Sequence, residues 1–509
     1  MSKRESIGAL VVLLVALSAA CGQESSAQQA ADAPSGIPQQ PVPAFGPDNP
    51  APPVNDNPPI SGLDMPNLEP HAAPLSYVQI GAHVSESLDS NVADTLGGSG
   101  FHSVSRALGS LELRRLWSHY DLALDYLGGI GYYNARGIGL KQIEELGVNQ
   151  KITWKRGQLG LRDAFSYQPE GTFGSSYGLV ANAGVGLSGL GTFLNGNGLG
   201  ALGEVPRIQN VSLVDVVQNL TPRSSVTATG AYSFIHFLGN DPTTGTSFIG
   251  NSQITAQVGY NRLLGPHDQA AITYAYQDFS FSSGTAFRSH VMQLMWGHRI
   301  SGRMDFLISA GPQITQINGL PTVVTNPNPV TDTIPPCFIS STFQFVCPRN
   351  DVRISAAGRA SLRYRFEKTS LALSYDHYIT GGSGFFAGAK SDIARLAVDR
   401  PLTRIWTAFT DIGYSRNSRE QALTAEQTAG CSLTQPCPGV SANTYSFGYA
   451  GAGARRKFGR TFQAYVGYQF TYLTFDSSFC GSAAACNRIS QRHVGTIGLD
   501  WTPRPMRID

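Results

Sequence analysis

The chain has 509 residues, only 14% of them charged and 10% aromatic, with 56 glycines and a net charge of +2. Charge this near balance leaves no basic footprint for nucleic acid, and beyond the N-terminus no apolar run reaches the 18 or so residues of a membrane-spanning helix. If the mature chain enters a membrane, it has to do so as strands.

Residues 1–27 read as an export signal: "MSKR" is basic, "IGALVVLLVALSAA" is an apolar core, and Ser25 and Ala27 sit at the small-residue positions for a cut after Ala27. That cut discards Cys21. Lipid attachment at Cys21 is the alternative, since "LSAAC" loosely fits a lipobox with Ser18 in place of the usual Leu. Residues 28–75 are rich in Pro, Ala, Asn and Gln, as in "PVPAFGPDNPAPPVNDNPP", and without aliphatic periodicity they are expected to be a disordered linker.

From Ser76 onward the chain breaks into segments of about 12 to 16 residues that alternate apolar and polar, the period of a strand with one apolar and one wet face. In "DVRISAAGRASLRYRF" one face carries Val352, Ile354, Leu362, Tyr364 and Phe366, the other Arg353, Arg359, Arg363 and Arg365. "RMDFLISAGPQIT" sets Met304, Phe306 and Ile308 against Arg303 and Asp305, and "YDLALDYLGGIGY" sets Tyr120, Leu124 and Tyr132 against Asp121 and Asp125. Strands of soluble sandwiches average about five or six residues, so these are too long for one. Tyr120 and Tyr132, twelve residues apart, span roughly 30 Å at a strand's rise and a 40° tilt, close to the apolar band of a membrane barrel. Phe462, Phe470, Tyr472 and Trp501 are further candidates for its aromatic girdles.

Short links fall near Ser118, Arg156, Pro222, Pro266, Gly302, Lys368, Arg400 and Gly459. Longer ones fall at about 89–101, 133–139, 169–206, 239–249, 282–285, 317–350, 381–386, 417–442 and 477–487. Eight turns and nine loops join 18 strands, and an even number puts both termini on the side of the short turns. Six of the seven cysteines form close pairs, Cys337 with Cys347, Cys431 with Cys437 and Cys480 with Cys486, all in long loops. They read as loop-closing disulfides. Zinc is the rival, but the spacings are not of the C-x₂₋₄-C kind and no histidine cluster accompanies them.

Alternation, girdle aromatics and turn rhythm over residues 76–505 resemble the outer-membrane β-barrel proteins of Gram-negative bacteria, of the porin-like class. The resemblance implies an all-β transmembrane antiparallel barrel spanning 76–509 and an outer-membrane location. Residues 28–75 become a periplasmic linker, with membrane lipid and the barrel assembly machinery as partners. Such barrels often end on an aromatic, whereas here "GTIGLDW" is followed by "TPRPMRID". The function implied is a channel for passive diffusion of small polar solutes. The alternative is a barrel that anchors surface loops or serves an export or assembly system. A TonB-dependent transporter is disfavoured, because about 50 linker residues cannot supply a folded plug and 18 strands fall short of 22.

No cofactor, metal site or enzyme activity is expected. "GVGLSG" at 184–189 matches G-x-G-x-x-G but lies in a Gly-rich loop without strand-to-helix context. His83 and Ser85 are reminiscent of the His-x-Ser pair of outer-membrane phospholipases, but lie on the polar parity and lack the Asn-Gly that follows there. The apolar loop 169–206 either folds into the mouth or packs as a lid. The lumen wall is the candidate site. A turn at Glu367 and Lys368 sets Arg359 opposite Asp376, and a guessed register sets Asp305 beside Arg363. Arg353 and Arg365 are then left unpaired, and a mild anion preference is expected from them.

Overall fold

The computed structural model describes residues 58–62, 76–92, 100–135, 139–168, 206–239, 248–324, 338–339, 345–420, 442–480 and 487–508. In chain order its strands are β1 (Tyr77–Asp89), β2 (His102–Leu116), β3 (Tyr120–Tyr133), β4 (Gly139–Trp154), β5 (Gly157–Gln168), β6 (Arg207–Thr221), β7 (Ser224–Phe237), β8 (Asn251–Leu263), β9 (Asp268–Phe281), β10 (Ala286–Ser301), β11 (Met304–Val324), β12 (Phe338–Ile339), β13 (Phe345–Arg365), β14 (Ser370–Thr380), β15 (Ala389–Pro401), β16 (Trp406–Arg419), β17 (Thr444–Phe458), β18 (Phe462–Phe475), β19 (Ile489–Trp501) and β20 (Met506–Arg507). β12 and β20 are two-residue pieces. The other eighteen form a ring in which each strand pairs antiparallel with the next, β11 directly with β13. β1 closes on β19, with Ala82 opposite Trp501 and Asp89 opposite Val494.

The alternation in the sequence sets the two faces of this wall. Along β8, Gln253, Thr255, Gln257 and Asn261 are buried while Ile254, Val258 and Tyr260 are exposed. On β13, Ile354 is 77% exposed. An apolar outer face and a polar inner one invert the arrangement of a soluble protein and match a ring surrounded by hydrocarbon. All five tryptophans of the chain, Trp117, Trp154, Trp296, Trp406 and Trp501, lie on the outward parity near the end that carries the short turns. There Arg115 lies 5.3 Å from the Trp117 ring and Arg456 5.4 Å from the Trp406 ring, so cationic heads sit at the edge of the apolar belt.

Turns fall at 117–119, 155–156, 222–223, 264–267, 302–303, 366–369, 402–405 and 459–461. The one expected at Arg400 comes slightly later, since β15 continues through Pro401. Gly459 takes φ +66° in the last of them, a left-handed conformation that glycine enters at little cost. The connection expected over 317–350 is shorter. β11 and β13 are 21 residues each, and pairing resumes past a register shift between Ile317 and Leu320 to bring Val324 opposite Phe345.

The tail "TPRPMRID" is built into the closure. β19 covers β1 from Ala82 onward, and β20 takes up the start of the same strand, with Met506 opposite Val78 and Arg507 opposite Tyr77. Gln79 Nε2 donates to the Pro503 carbonyl at 2.9 Å, and the Ile508 N–H to that of Ser76 at 3.2 Å.

Residues 58–62, expected within a periplasmic linker, lie inside the ring against β7, β8 and β9. Residues 1–57 and 63–75, the loop 169–205 with its "GVGLSG", and Cys337, Cys431, Cys437 and Cys486 lie outside the described residues, as do the side chains of Cys347 and Cys480.

Candidate functional site

The inner wall is cross-tied by charge. Arg359 stands opposite Asp376 in the β13–β14 register and pairs with it at 3.4 Å, the carboxylate being 3% exposed. Arg363 stands opposite Asp305, its Nε donating to Oδ1 at 2.9 Å. On β3, Asp121 accepts from Arg114 of β2 at 2.8 Å, and Asp125 faces Glu112. Arg114, which binds Asp121, stands two residues along the strand from Glu112.

Arg353 is not unpaired. Its Nε donates to Asp351 at 2.9 Å and its Nη1 lies 3.7 Å from Glu420, so the residue at the end of β16 reaches back to neutralise it. Arg365 is likewise engaged. Arg303 occupies the β10–β11 turn, exposed and off the wall, and offers its carbonyl to the Arg365 N–H at 2.7 Å. Arg353, Arg359 and Arg363 thus stand beside acids and Arg365 is not free, so the anion preference loses the two unpaired residues on which it rested.

Other cross-ties are not apparent from the strand pattern alone. Arg395 of β15 donates to Asp411 of β16 at 3.1 Å, with the Tyr449 hydroxyl on the same carboxylate at 2.8 Å. Arg492 of β19 donates to Asp89 of β1 at 2.8 Å. All lie on the polar parity of adjacent strands, so hairpin-by-hairpin registers would have found the first. The Asp89 pair needed the closure of the ring.

His83 is buried on the inner face, with Nδ1 2.9 Å from Asp500 Oδ1 and Nε2 2.9 Å from Ser110 Oγ. The partners come from β19 and β2, one on each side of β1, and Ser85 is not among them. A Ser-His-Asp line also needs preorganised donors aimed at a developing oxyanion. Here the flanking backbone N–H groups belong to strands paired on both sides, and the line ties β19, β1 and β2 together across the seam.

Toward the loop end the inner face turns apolar. Phe279 and Phe281 of β9, Phe287 of β10, Tyr445 and Phe447 of β17 and Phe475 of β18 are buried on it. Residues 381–388, "GGSGFFAG", fold inward onto them. Phe385 packs on Tyr445 at 5.2 Å and on Phe475 at 5.3 Å, while the Ile249 N–H donates to the Gly384 carbonyl at 2.8 Å on the β8 side. Gly384 has φ +85°, and a Cβ there would stand 2.8 Å from the Phe237 ring. The segment therefore runs from β14 and β15 to β8 as a chord across the outer mouth. Among the described residues, it is this segment that narrows the mouth; the 169–206 loop, expected at the mouth or as a lid, lies outside them but for Pro206.

Two carboxylates lie beyond the strands at this end. Burial pushes Glu420 up, against the pull of Arg353 and Lys390. Asp476 is held below the ordinary carboxylate range: burial opposes ionisation, but hydrogen bonds from Ser478 and Thr444 outweigh it. Its Oδ2 accepts from the Thr444 N–H at 2.7 Å and from the Asn443 N–H at 3.1 Å.

No protein-family model matches the chain, and no curated protein matches its sequence. Among solved structures it is similar to the unliganded ferric citrate transporter FecA, with 9% identity over 85% of this chain and 79% of that one and a TM-score of 0.41. It is also similar to the outer membrane protein OpdK from Pseudomonas aeruginosa, with 9% identity over 84% and 99% and a TM-score of 0.38. For OccAB2 from Acinetobacter baumannii the figures are 8%, 84%, 98% and 0.38. The closed ring itself requires hydrocarbon around its outer face and satisfied polar groups within, and the chain has the fold of an 18-strand antiparallel β-barrel that spans a membrane.

Proposed function

We propose that the barrel is a channel for passive diffusion of small polar solutes. The observation that carries this reading is the inner wall, polar and charge-paired around an 18-strand ring, a size at which barrels hold an aqueous lumen. Paired charges along the wall support a weakly selective pore, since rings of uncompensated charge are what impose strong selectivity. Refolded protein in a planar bilayer is expected to give discrete conductance steps, with reversal potentials in a salt gradient near zero. Silence from a correctly folded barrel would defeat the reading.

A second reading, a barrel that anchors outer loops or forms part of an export system, is favoured by one observation. The chord formed by residues 381–388 packs aromatic side chains into the outer mouth, as a sealed anchor would.

A further inference from the structure

We propose that the inner wall of β7 to β10 is a binding site for a proline-containing turn, occupied by residues 58–62 of the same chain as a detachable plug; as a gate it rests on the channel reading above. The site is built for main chain. The Ile60 N–H donates to Gln269 Oε1 at 3.1 Å, while Gln269 Nε2 donates to the Pro58 carbonyl at 3.3 Å. The Ser61 N–H donates to Asn261 Oδ1 at 3.0 Å, and Gln257 Nε2 donates to the Ser61 carbonyl at 3.0 Å. The single bound hydroxyl, Ser61 Oγ, meets Thr227 Oγ1 at 2.6 Å and accepts from Asn261 Nδ2. The segment closes a turn on itself, the Gly62 N–H donating to the Pro59 carbonyl at 2.9 Å, and wall amides satisfy the main-chain groups of Pro58, Ile60 and Ser61.

The wall also leaves space for this occupant. A Cβ at Gly259 would come within 2.5 Å of Ser61 Oγ, and one at Gly297 within 3.1 Å of Ile60 Cγ2. Thr227 faces Gly259 and Gln269 faces Gly297 across their ladders, so each glycine lies beside a residue that holds the peptide. Pro58 and Pro59 fix two φ angles before the segment docks, which lowers the ordering cost.

Position makes the contact a gate. Gln269 is the second residue of β9, Asn261 the third from the end of β8 and Thr227 the fourth of β7, so the site lies just inside the mouth with the short turns. β1, where the chain enters the ring, is seven strands from β8 in a ring of eighteen, nearly opposite. The contact consists of hydrogen bonds to neutral side chains without ladder pairing, and a closed barrel has no edge into which the segment could be incorporated.

The test compares full-length protein in planar bilayers with a variant in which 58–62 is replaced by Gly-Ser-Gly-Ser-Gly and with Gly259→Leu. Both variants are expected to conduct at least twofold more. A synthetic peptide spanning residues 54–66 should block the replaced variant from the short-turn side alone. Independently, Ser61→Cys with Thr227→Cys should cross-link, read by peptide mapping, and hold conductance low until a reductant is added. Equal conductance of wild type and both variants overturns the gate, and absence of the cross-link overturns the docking. Silence of every variant with the cross-link formed defeats the channel reading and the gate, and supports the docking.

Discussion

Two arginine–aspartate pairs that look alike in sequence differ in what their loss costs. Arg359 and Asp376 have side chains 12% and 5% exposed, whereas Arg288 and Asp278 on the outer face are 53% and 28% exposed. Truncating one partner of a buried pair strands a charge out of water and costs about 3 to 5 kcal/mol, whereas exposed pairs are worth about 0 to 1 kcal/mol. Arg359→Ala is therefore expected to lower the denaturant midpoint of the folded barrel clearly, and Arg288→Ala to leave it nearly unchanged. Equal shifts would contradict this. Asp476 gives a pH signature. Its folded pKa lies below the unfolded carboxylate value of about 3.9, so its contribution is complete above that value and is lost as pH falls through the folded one. Protection factors of the Thr444 and Ser478 amides, that is exchange relative to the intrinsic rate at each pH, are expected to fall several-fold on acidification below about pH 4, and Asp476→Asn to show the lowered protection already at neutral pH.

At the level of elements, the inward chord makes a prediction of its own. Phe386 is fully buried and packs at a tilt against Tyr445, with ring centroids 5.2 Å apart. Phe386→Ala is expected to loosen residues 381–388, raise single-channel conductance and leave the melting of the strands unchanged; an unaltered conductance would show that the chord does not limit flow. The chord was hard to foresee because the rule that places apolar residues outward fails near the loops. Phe279 and Phe281 continue the same parity as Thr273 and Gln277 and so face inward. Parity alone gives their direction, and their composition argues against it. By contrast "DVRISAAGRASLRYRF" carries both its faces and, through the turn at Glu367, its register, so Arg359 opposite Asp376 is legible from the residues alone. The "PPISG" segment is illegible for a different reason. Nothing periodic marks it, and its partners are wall amides some 200 residues away.

For the whole molecule, closure depends on the two ends of the chain. Every pair between β1 and β19 joins residues more than 400 apart, and β20 completes the same seam. Contacts of such separation are slow to form, and the hydrogen bonds of Gln79 and Ser76 to the tail add to the last part assembled. Removing 502–509 is expected to leave a folded barrel that closes several-fold more slowly in refolding kinetics and unfolds at a lower temperature, while a tail that merely trails would make no difference to either. The placement of the tryptophans has an optical consequence. Because all five lie at one end of the wall, the intrinsic emission of the protein reports a single leaflet. Vesicles with brominated lipid confined to the leaflet at the short-turn end should quench nearly all of it, and the same lipid in the opposite leaflet almost none. The chain therefore carries its own one-sided probe, by which the direction of its insertion can be read without a label.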